Sequence, residues 1–359
     1  MHDKRGVKMS YKDGIAAINL EMPDRVPRTE YSADRHWELV NAVTGSHVTP
    51  NSPAEECQKA SSQFIKAWNY DFVWGTVFGS NIFGKYQTNM GHASYASGGV
   101  DFKEAEASFI QTPEEVLRFD PWEVYGEKNI SELVRELNAI YQQKCENNPD
   151  AVSTVGTYVT LVSGVLAIFG WDNLLLALGY DPDGFGEVVN RYQSFIMQYY
   201  QALAECDAPV IMMHDDIMWT SGPFVHPDWY RKYVFPNLKK LTEPLREAGK
   251  KIMFTSDGNY TQFIDDIADC GINGFIMEPL TDMEYIAEKY GKTHSFIGNA
   301  DTNVLLRGSK EDIYNEVKRC MDIGKKCPGF FMAVGNHIPS NTLVENALYY
   351  NECYEKLSR

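Results

Sequence analysis

The C-terminal half of the chain repeats one pattern of hydrophobic and polar positions. A stretch with apolar residues at helical spacing ends at a glycine, a short uninterrupted apolar run follows, and the run stops at a cluster of polar residues. Such short runs predict strands that are buried on both faces. The five strands predicted in this way are Ala208–Met213, Lys251–Phe254, Gly274–Met277, Ser295–Ile297 and Phe330–Val334.

Two of the predicted helices have a recognisable start. Thr281–Glu284 and Ser309–Asp312 both have the spacing of a capping box, in which a hydroxyl and a carboxylate three residues apart bond the first free amides of a helix. These helices are predicted to end near Gly291 and Gly324, because glycine readily adopts the conformation that ends a helix.

Strands that alternate with helices must be parallel, which predicts an α/β fold. A doubly wound sheet and a (β/α)8 TIM barrel both fit the alternation. No G-x-G-x-x-G or G-x-x-x-x-G-K-[ST] sequence follows a predicted strand, so the common nucleotide-binding motifs are missing. Three earlier candidate strands raise the count to eight and favour the barrel: Arg25–Tyr31, Asp71–Trp74 and Ser153–Thr157.

No linker-like stretch divides the chain, so residues 1–359 are expected to form a single barrel domain. Residues up to about 20 would be an N-terminal extension. Residues from about 76 to 150 carry scattered Gly, Asn and Ser and then helical spacing, and they are expected to form a loop and helix excursion over the barrel mouth.

The charge balance narrows the possible partners. The chain has 33 basic and 49 acidic residues, a net charge of −16, which disfavours binding to nucleic acids and to anionic membranes. The longest apolar run, Tyr158–Trp171, is too short to span a bilayer. The first residues lack a hydrophobic secretory signal, and the seven cysteines include no C-x-x-C pair. We therefore expect a cytoplasmic protein without a disulfide framework.

Candidate chemistry gathers where the predicted strands end. Active sites of (β/α)8 barrels lie at the carboxyl ends of the strands. A ring of carboxylates and imidazoles there predicts either a site for a metal such as zinc or a paired acid and base. The polar residues at these ends are His214, Asp215, Asp216, Asp257, Glu278, Asn299, Asp301, Asn336 and His337.

Each of these residues also has a simpler interpretation. Asp and Asn are common in turns and at helix starts, and His214 beside two aspartates is compatible with a purely structural role. Glu278 and His337 fit such roles less well. Aromatic residues near strand ends, among them Tyr31, Trp74 and Trp219, favour a ring-bearing substrate, although packing of the barrel rim explains them equally well.

With these residues in view, the sequence resembles the uroporphyrinogen decarboxylase superfamily of (β/α)8 barrels. Several motifs in the family's order carry the resemblance, which runs from about residue 20 to the C-terminus. They are Pro23–Arg28, Asp216 with His226–Tyr230, Ser256–Asn259, Ile297–Asp301 and Gly335–Thr342.

The resemblance also indicates a branch of the superfamily. True uroporphyrinogen decarboxylases carry a Met-Arg-Gln-Ala-Gly-Arg motif, whereas this chain has Arg28-Thr-Glu30-Tyr31. The corrinoid-dependent methyltransferase branch is a better match. Its coenzyme M enzymes bind zinc through His-x-Cys and a further Cys, and those positions fall on Thr255, Asp257 and Asn336 here. Without thiolate ligands, demethylation is favoured over thiol methylation.

The resulting hypothesis is an O-demethylase methyltransferase. It would move a methyl group from a small donor, an aromatic methyl ether, to the cob(I)alamin of a separate corrinoid protein, because this chain lacks an Asp-x-His-x-x-Gly cobalt-binding motif. A homodimer is compatible with this hypothesis. The expected catalytic residues are His214, Asp215 and Asp216, the expected zinc ligands are Asp257, Glu278 and His337, and the expected substrate-binding residues are Tyr31, Trp74, Trp219, Asn299, Asp301 and Asn336.

Two alternatives remain open from the sequence. One is a decarboxylase or lyase that acts on an aromatic or tetrapyrrole acid, which would need no corrinoid partner. The other is a ligand-binding barrel without catalytic activity. Release of carbon dioxide distinguishes the first, and ligand affinity that survives replacement of Asp257 and His337 distinguishes the second.

Overall fold

All strands of the structure are parallel and follow one another around a barrel. The structure is a computed structural model and describes residues 11–88 and 109–359. Its strands are β1 (Phe72–Val73), β2 (Val152–Ser153), β3 (Val155–Thr157), β4 (Val210–His214), β5 (Lys251–Ser256), β6 (Gly274–Met277), β7 (Ser295–Ile297) and β8 (Phe330–Phe331).

Hydrogen bonds around Arg28 complete the ring of strands. Strands β3 to β8 pair in sequence order, and β1 pairs with β2. The segment around Arg28 joins the two ends, because Asp71 N donates to Arg28 O over 2.9 Å and Met332 N donates to Pro27 O over 2.8 Å. The segment around Arg28 takes the first of the eight strand positions of the barrel, β1 takes the second, and β2 and β3 together take the third. Strands β4 to β8 take the other five. The predicted (β/α)8 barrel is therefore confirmed.

The helices mostly lie where the repeating pattern predicts them. The capping box at Ser309 is present, whereas the helix Met283–Tyr290 is capped by Asp282 and not by the predicted Thr281. The helices are α1 (Tyr11–Ile18), α2 (Trp37–Thr44), α3 (Ala54–Ala67), α4 (Pro113–Arg118), α5 (Pro121–Tyr125), α6 (Ile130–Asn147), α7 (Val162–Tyr180), α8 (Pro182–Glu205), α9 (Pro227–Trp229), α10 (Phe235–Glu247), α11 (Ile264–Asp269), α12 (Met283–Tyr290), α13 (Thr302–Arg307), α14 (Lys310–Gly324) and α15 (Val344–Leu357).

The core has an inner and an outer layer. Inward-facing side chains such as Phe72, Met253 and Phe331 are fully buried inside the barrel, and a larger cluster fills the space between the strands and the helices. Ala17 and Ile18 of α1 join the inner cluster. Helix α1, part of the predicted N-terminal extension, thus covers the end of the barrel opposite the strand ends.

The region between β1 and β2 was predicted to form an excursion over the mouth. Its middle, residues 89–108, lies outside the described residues. The helices that follow, α4 and α5, pack against α8, and α4 also contacts α7.

Helix α7 contains much of the longest apolar run. Among the described residues it is the one helix long and apolar enough to cross a membrane, but 67% of its most apolar window is buried inside the protein. The burial supports its interpretation as a core helix.

Candidate active site

Three neighbouring strands bring the central site residues together. Strand β4 ends at His214, and Asp257 and Glu278 directly follow β5 and β6. These strands pair in parallel with His214 opposite Thr255 and Ser256 opposite Met277. Their carboxyl ends therefore meet at the same edge of the barrel, as the sequence predicts.

Three side chains at this edge form a close group, which we call the acid cluster: His214, Asp216, which follows β4 by two residues, and Asp257. The His214 Nε2 atom lies 3.1 Å from Asp216 Oδ1, and the same oxygen accepts a hydrogen bond of 3.1 Å from the Asp257 backbone N–H. One potential ligand atom from each residue lies within 4.8 Å of the others. His214 is buried, Asp216 is half-buried, and Asp257 reaches the solvent of the mouth.

Tyr158 fixes the orientation of His214. The two rings stack with their centroids 3.7 Å apart and their planes 14° from parallel. In addition, His214 Nδ1 lies 3.2 Å from the carbonyl oxygen of Tyr158. A proton on Nδ1 satisfies this carbonyl and directs Nε2 toward the two carboxylates.

The charges of the acid cluster change the protonation of its members. Burial alone would lower the pKa of His214, but the charge and hydrogen bond of Asp216 outweigh it and raise that pKa to about 9. The surrounding protein raises the pKa of Asp257 to about 8, and the charges of Asp216 and Glu278 add to this. Both shifts favour the protonated forms, the imidazolium of His214 and the neutral carboxyl of Asp257.

Glu278 holds the floor of the site in place. Its Oε2 atom accepts a 2.7 Å hydrogen bond from the backbone N–H of Gly258, and its Oε1 accepts from Asn336 Nδ2. The side chain of Thr281 also bonds this turn, because its Oγ1 donates to Gly258 O over 3.1 Å. Gly258 has φ +79°, and a Cβ there would lie 2.3 Å from the Trp219 carbonyl oxygen, so the turn requires glycine.

Asp215 lies behind the cluster and faces the start of α7. It is fully buried, and its Oδ1 accepts hydrogen bonds from the backbone N–H groups of Leu161 (3.2 Å) and Ser163 (2.8 Å). Burial raises the pKa of Asp215 to about 7. This placement suits a residue that positions α7 beneath the site.

Aromatic rings form the opposite wall of the mouth. The ring of Tyr31 makes edge contacts with Trp74, at a centroid distance of 5.3 Å, and with His337, at 4.5 Å. Burial lowers the pKa of His337 to about 4, and the positive charge of Arg35 adds to this. His337 is therefore a neutral ring in this wall near neutral pH.

The remaining expected substrate residues lie at the edges of the site. Trp219 is 47% exposed and packs against Trp171 and Phe224 at the rim. Asn299 is buried, and its amide donates to Thr281 O over 3.1 Å. Asp301 caps α13 by accepting a hydrogen bond from Asn303 N. The last two thus have structural partners, and their predicted roles in binding substrate stay predictions.

The acid cluster also fits a divalent metal. One imidazole nitrogen and two carboxylates are donors that zinc accepts, and the carbonyl on Nδ1 would orient His214 as a ligand. This set differs from the predicted one of Asp257, Glu278 and His337, because Glu278 is bonded to Gly258 and Asn336 while His337 packs on Tyr31. In the part of the chain that the structure describes, it is the group of three that could share one ion.

Sequence reasoning missed two residues beside this site, Tyr158 and Arg35. Tyr158 follows the predicted strand Ser153–Thr157 directly, so its position at a strand end was an available signal. Arg35 belongs to a short 3-10 turn, Ala33–Arg35, which the pattern of apolar residues does not indicate.

Arg28, by contrast, faces away from the mouth. Its guanidinium forms a buried ion pair with Glu30 at 2.9 Å and lies over the rings of Trp68 and Tyr354, 4.7 and 4.5 Å from their centroids. It is therefore part of the packing between the first strand segment and α15.

Comparison with known proteins agrees with this architecture. The solved structure of a methyltransferase from Methanosarcina mazei covers 97% of this chain and 99% of its own, with a TM-score of 0.65 and 18% identity. At this identity the likeness supports the fold.

Sequence relatives point to one family. A uroporphyrinogen decarboxylase from Geobacter sulfurreducens is 26% identical over 189 residues, 53% of this chain and 54% of that protein. One from Coxiella burnetii is 25% identical over 182 residues, 49% of this chain and 48% of that protein. The chain thus spans about half the length of the curated relatives it matches. The family model described as uroporphyrinogen decarboxylase (URO-D) matches residues 96–357. Because this match covers well over half of the chain, the protein belongs to the uroporphyrinogen decarboxylase family.

Proposed function

We propose that the protein is a methyltransferase that removes the methyl group of an aromatic methyl ether and passes it to the corrinoid of a separate protein. The likeness of the fold to a methyltransferase supports this class of reaction. The observation that carries the proposal is the acid cluster at the mouth of the barrel, in which His214, Asp216 and Asp257 bring one ligand atom each within 4.8 Å of the others, together with the aromatic wall of Tyr31 and Trp74.

An ether oxygen is a poor leaving group unless it is protonated or bound to a metal. Asp257 can supply the proton, because the protein that surrounds its carboxyl and the charges of Asp216 and Glu278 raise its pKa to about 8. The C–O bond would break with its electron pair on the oxygen, and the proton of Asp257 would go to that oxygen. The methyl group would leave in the opposite direction, and the exposed face of Asp257 would regain a proton from solvent.

His214 and Asp216 hold Asp257 in place for this step. The positively charged His214 neutralises Asp216, and Asp216 accepts from the backbone N–H of Asp257. Tyr158 keeps the His214 ring in position by stacking. The substrate ring would lie against Tyr31 and Trp74, because aromatic rings pack favourably at such edges.

Two groups from outside the chain would complete the reaction. A corrinoid would supply the cobalt nucleophile that accepts the methyl group. Zinc bound by the acid cluster would supply Lewis acidity at the ether oxygen in place of the proton.

The rim of the mouth suits contact with a corrinoid protein. Large apolar side chains follow several strands and are exposed there: Trp219 by 47%, Leu280 by 54% and Leu343 by 55%. Exposed apolar residues around a site are a common feature of protein interfaces.

A decarboxylase is the second candidate, favoured by the names of the sequence relatives. Decarboxylation of a tetrapyrrole with several carboxylates needs several cations. The first strand segment offers Arg25 and Arg28, but both are buried in ion pairs with Asp71 and Glu30, and Arg35 after it adds a single exposed charge. We therefore prefer methyl transfer, and release of carbon dioxide without a corrinoid would reverse this preference.

The proposal is tested by methyl transfer from 4-methoxybenzoate to free cob(I)alamin, followed by absorbance. We expect transfer by the wild type and a loss of about a hundredfold or more in Asp257→Asn, because removal of a general acid typically has this effect. Asp282→Asn is the matched control. Asp282 caps α12 beside the site, and Asn caps helices equally well, so activity is expected to be unchanged.

Metal content of the same proteins separates the two ligand sets. If zinc is bound by the acid cluster, His214→Ala and Asp257→Ala lose it while His337→Ala retains it. Loss in His337→Ala and retention in His214→Ala would support the predicted set instead. Absence of methyl transfer from any aryl ether, with or without added zinc, would overturn the proposal.

A further inference from the structure

The start of α7 is bonded to the loop that carries Asp216. This loop follows β4 and begins with Asp215 and Asp216. Ser163, the second residue of α7, accepts a hydrogen bond of 2.7 Å at its Oγ atom from the Asp216 backbone N–H. In return, Asp215 Oδ1 accepts a hydrogen bond of 2.8 Å from the Ser163 backbone N–H. The start of the helix and the loop therefore hold each other.

The first turn of α7 is also held from the side of α8. Gly164 packs so closely on α8 that an added Cβ would lie 2.1 Å from Tyr192 Oη. The same hydroxyl donates a 2.6 Å hydrogen bond to Val159 O, in the segment that leads into α7. Ser163 is 1% exposed, so its hydroxyl is shielded from solvent. A side chain on such a closely packed element is a fixed point for the loop.

Neighbouring N–H groups of the loop bond a different element. Asp215 N donates to Thr255 O over 3.0 Å, and Ile217 N donates to Ser256 Oγ over 3.2 Å, so both bond β5. The N–H of Asp216 lies between them in the chain and bonds Ser163 of α7. The loop is thus fixed to β5 on one side and to α7 on the other.

Asp216 connects this placement to the rest of the acid cluster. Its Oδ1 atom lies 3.1 Å from His214 Nε2 and accepts a hydrogen bond of 3.1 Å from the Asp257 backbone N–H. One carboxylate oxygen thus contacts both of the other members. Because the backbone of Asp216 is bonded to Ser163, the position of this oxygen depends on α7.

We propose that Ser163 is a positioning residue, which acts through Asp216 to hold the acid cluster in its working arrangement. The inference rests on the proposed function for the reaction and on the hydrogen bond to Ser163 for the placement. Ser163→Ala removes the acceptor of the Asp216 N–H, which must then turn toward water or another acceptor. The carboxylate would move with it, and a small displacement of a reacting group lowers a rate strongly.

Zinc affinity tests the placement without any methyl transfer. The probe is zinc chloride, titrated into the metal-free full chain and followed by calorimetry. Loss of a group that orients a metal ligand typically weakens metal binding about tenfold or more, and we expect this effect in Ser163→Ala. The denaturation midpoint of the same protein checks that the variant is folded.

Thr88→Val is the matched control. Thr88 is buried, and its Oγ1 donates a 3.0 Å hydrogen bond to Ala167 O, one turn further along α7. The variant removes a hydroxyl bonded to the same helix but away from the acid cluster, and the Thr88 N–H still donates to Ala167 O over 2.8 Å. Its zinc affinity should equal that of the wild type. Equal affinity of Ser163→Ala and the wild type, or the same loss in both variants, would overturn the inference.

Methyl transfer from 4-methoxybenzoate then separates the two proposals. We expect Ser163→Ala to lower kcat about tenfold with KM nearly unchanged, because Ser163 is buried and acts through Asp216. Thr88→Val should change neither constant. If the wild type binds no zinc, this comparison of kcat decides alone.

The possible results distinguish failure of one proposal from failure of the other. Zinc affinity that depends on Ser163, without methyl transfer by the wild type, would retain the placement and overturn the demethylase proposal. Methyl transfer with equal kcat in the wild type and Ser163→Ala would retain the demethylase and overturn the role of Ser163. A wild type that neither binds zinc nor transfers methyl groups would overturn both.

Discussion

Charged residues lie in two regions of this barrel. In one region each charge has a partner of opposite sign, and in the other the acids outnumber the bases. The closing side is the side where the segment around Arg28 joins the two ends of the sheet. There, Arg28 and Glu30 form a buried ion pair at 2.9 Å beneath aromatic rings. At the mouth, His214 faces Asp216 and Asp257 with two acids for one base. Paired charges satisfy each other and leave nothing to react, whereas an excess acid must keep a proton or bind a cation.

The direction of the side chain along each strand explains the difference. Successive residues of a strand point to opposite faces. Arg28 points outward and meets Trp68 and Tyr354, whereas His214 follows the inward-facing Met212 by two residues and points into the barrel. The same residue types are structural on one face and available for chemistry on the other.

The strongest test of this contrast is Glu30→Ala. Glu30 accepts hydrogen bonds from Val334 N (3.0 Å) and Tyr350 Oη (2.7 Å) in addition to the ion pair with Arg28. Its removal leaves the Arg28 guanidinium buried without a counter-charge, although Asn351 still accepts a hydrogen bond from it, so the free energy of unfolding should fall by about 3–5 kcal/mol. Chemical denaturation measures this.

Lys232→Ala is the control for Glu30→Ala. Lys232 pairs with Asp183 at 2.9 Å on the surface, where both side chains are largely exposed, so no measurable loss of stability is expected. A similar loss in both variants would show that burial does not distinguish the two ion pairs.

The next largest effect should come from Asp257→Asn, measured as stability beside activity. The variant removes the proton donor, and above about pH 8, where the carboxyl of Asp257 would ionise, it also removes repulsion with Asp216 and Glu278. Methyl transfer should therefore fall about a hundredfold or more while the denaturation midpoint stays level or rises. If the rate of methyl transfer and the denaturation midpoint both fall, Asp257 has a structural role like that of the Arg28–Glu30 pair.

Tyr158→Leu should have a smaller effect, on turnover. Without the stacked ring, His214 loses the contact at 3.7 Å that fixes its plane, and we expect kcat to fall about tenfold with KM nearly unchanged. Tyr158→Phe keeps the ring and should restore the rate. If Tyr158→Phe lowers kcat as much as Tyr158→Leu does, the hydroxyl group matters and the stacking does not.

The smallest effect concerns Asp34, an acid near the closing side. Burial raises the pKa of Asp34 to about 6, above the value of an unfolded chain. The folded state thus holds a proton that the unfolded state releases, and stability is lost as pH rises from about 4 to 6. Asp34→Asn should flatten this slope and stabilise the protein by about 1 kcal/mol at pH 7, because partial exposure reduces the cost of the charge. Parallel slopes for variant and wild type would contradict it.

Much of the barrel could be predicted because strands β4 to β8 are apolar on both faces and end at polar clusters. The ends of the predicted strand Arg25–Tyr31 were harder to predict. Pro27 lacks an N–H, and the segment pairs through few hydrogen bonds around Arg28. Thr281 shows how tertiary contacts override a local pattern: its hydroxyl bonds Gly258, so Asp282 caps the helix instead.

The site was predictable as a set of strand ends but not as a set of contacts. Spacing placed His214, Asp257 and Glu278 at one edge of the barrel. It could not show that Glu278 bonds the Gly258 turn or that the Arg35 side chain has no partner among residues 11–88 and 109–359, because both depend on which atoms converge in space. Tyr158 was missed for the same reason.

One measurement addresses the proposed activity most directly. The wild-type protein is incubated with cob(I)alamin and 4-methoxybenzoate that carries ¹³C in its methyl group, and the label is followed by NMR. We expect the label to appear on cobalt with an equal amount of 4-hydroxybenzoate, and Asp257→Asn to form little of either. Label that stays in the ether, or carbon dioxide released from the carboxylate, would contradict the assignment of this family member as an O-demethylase.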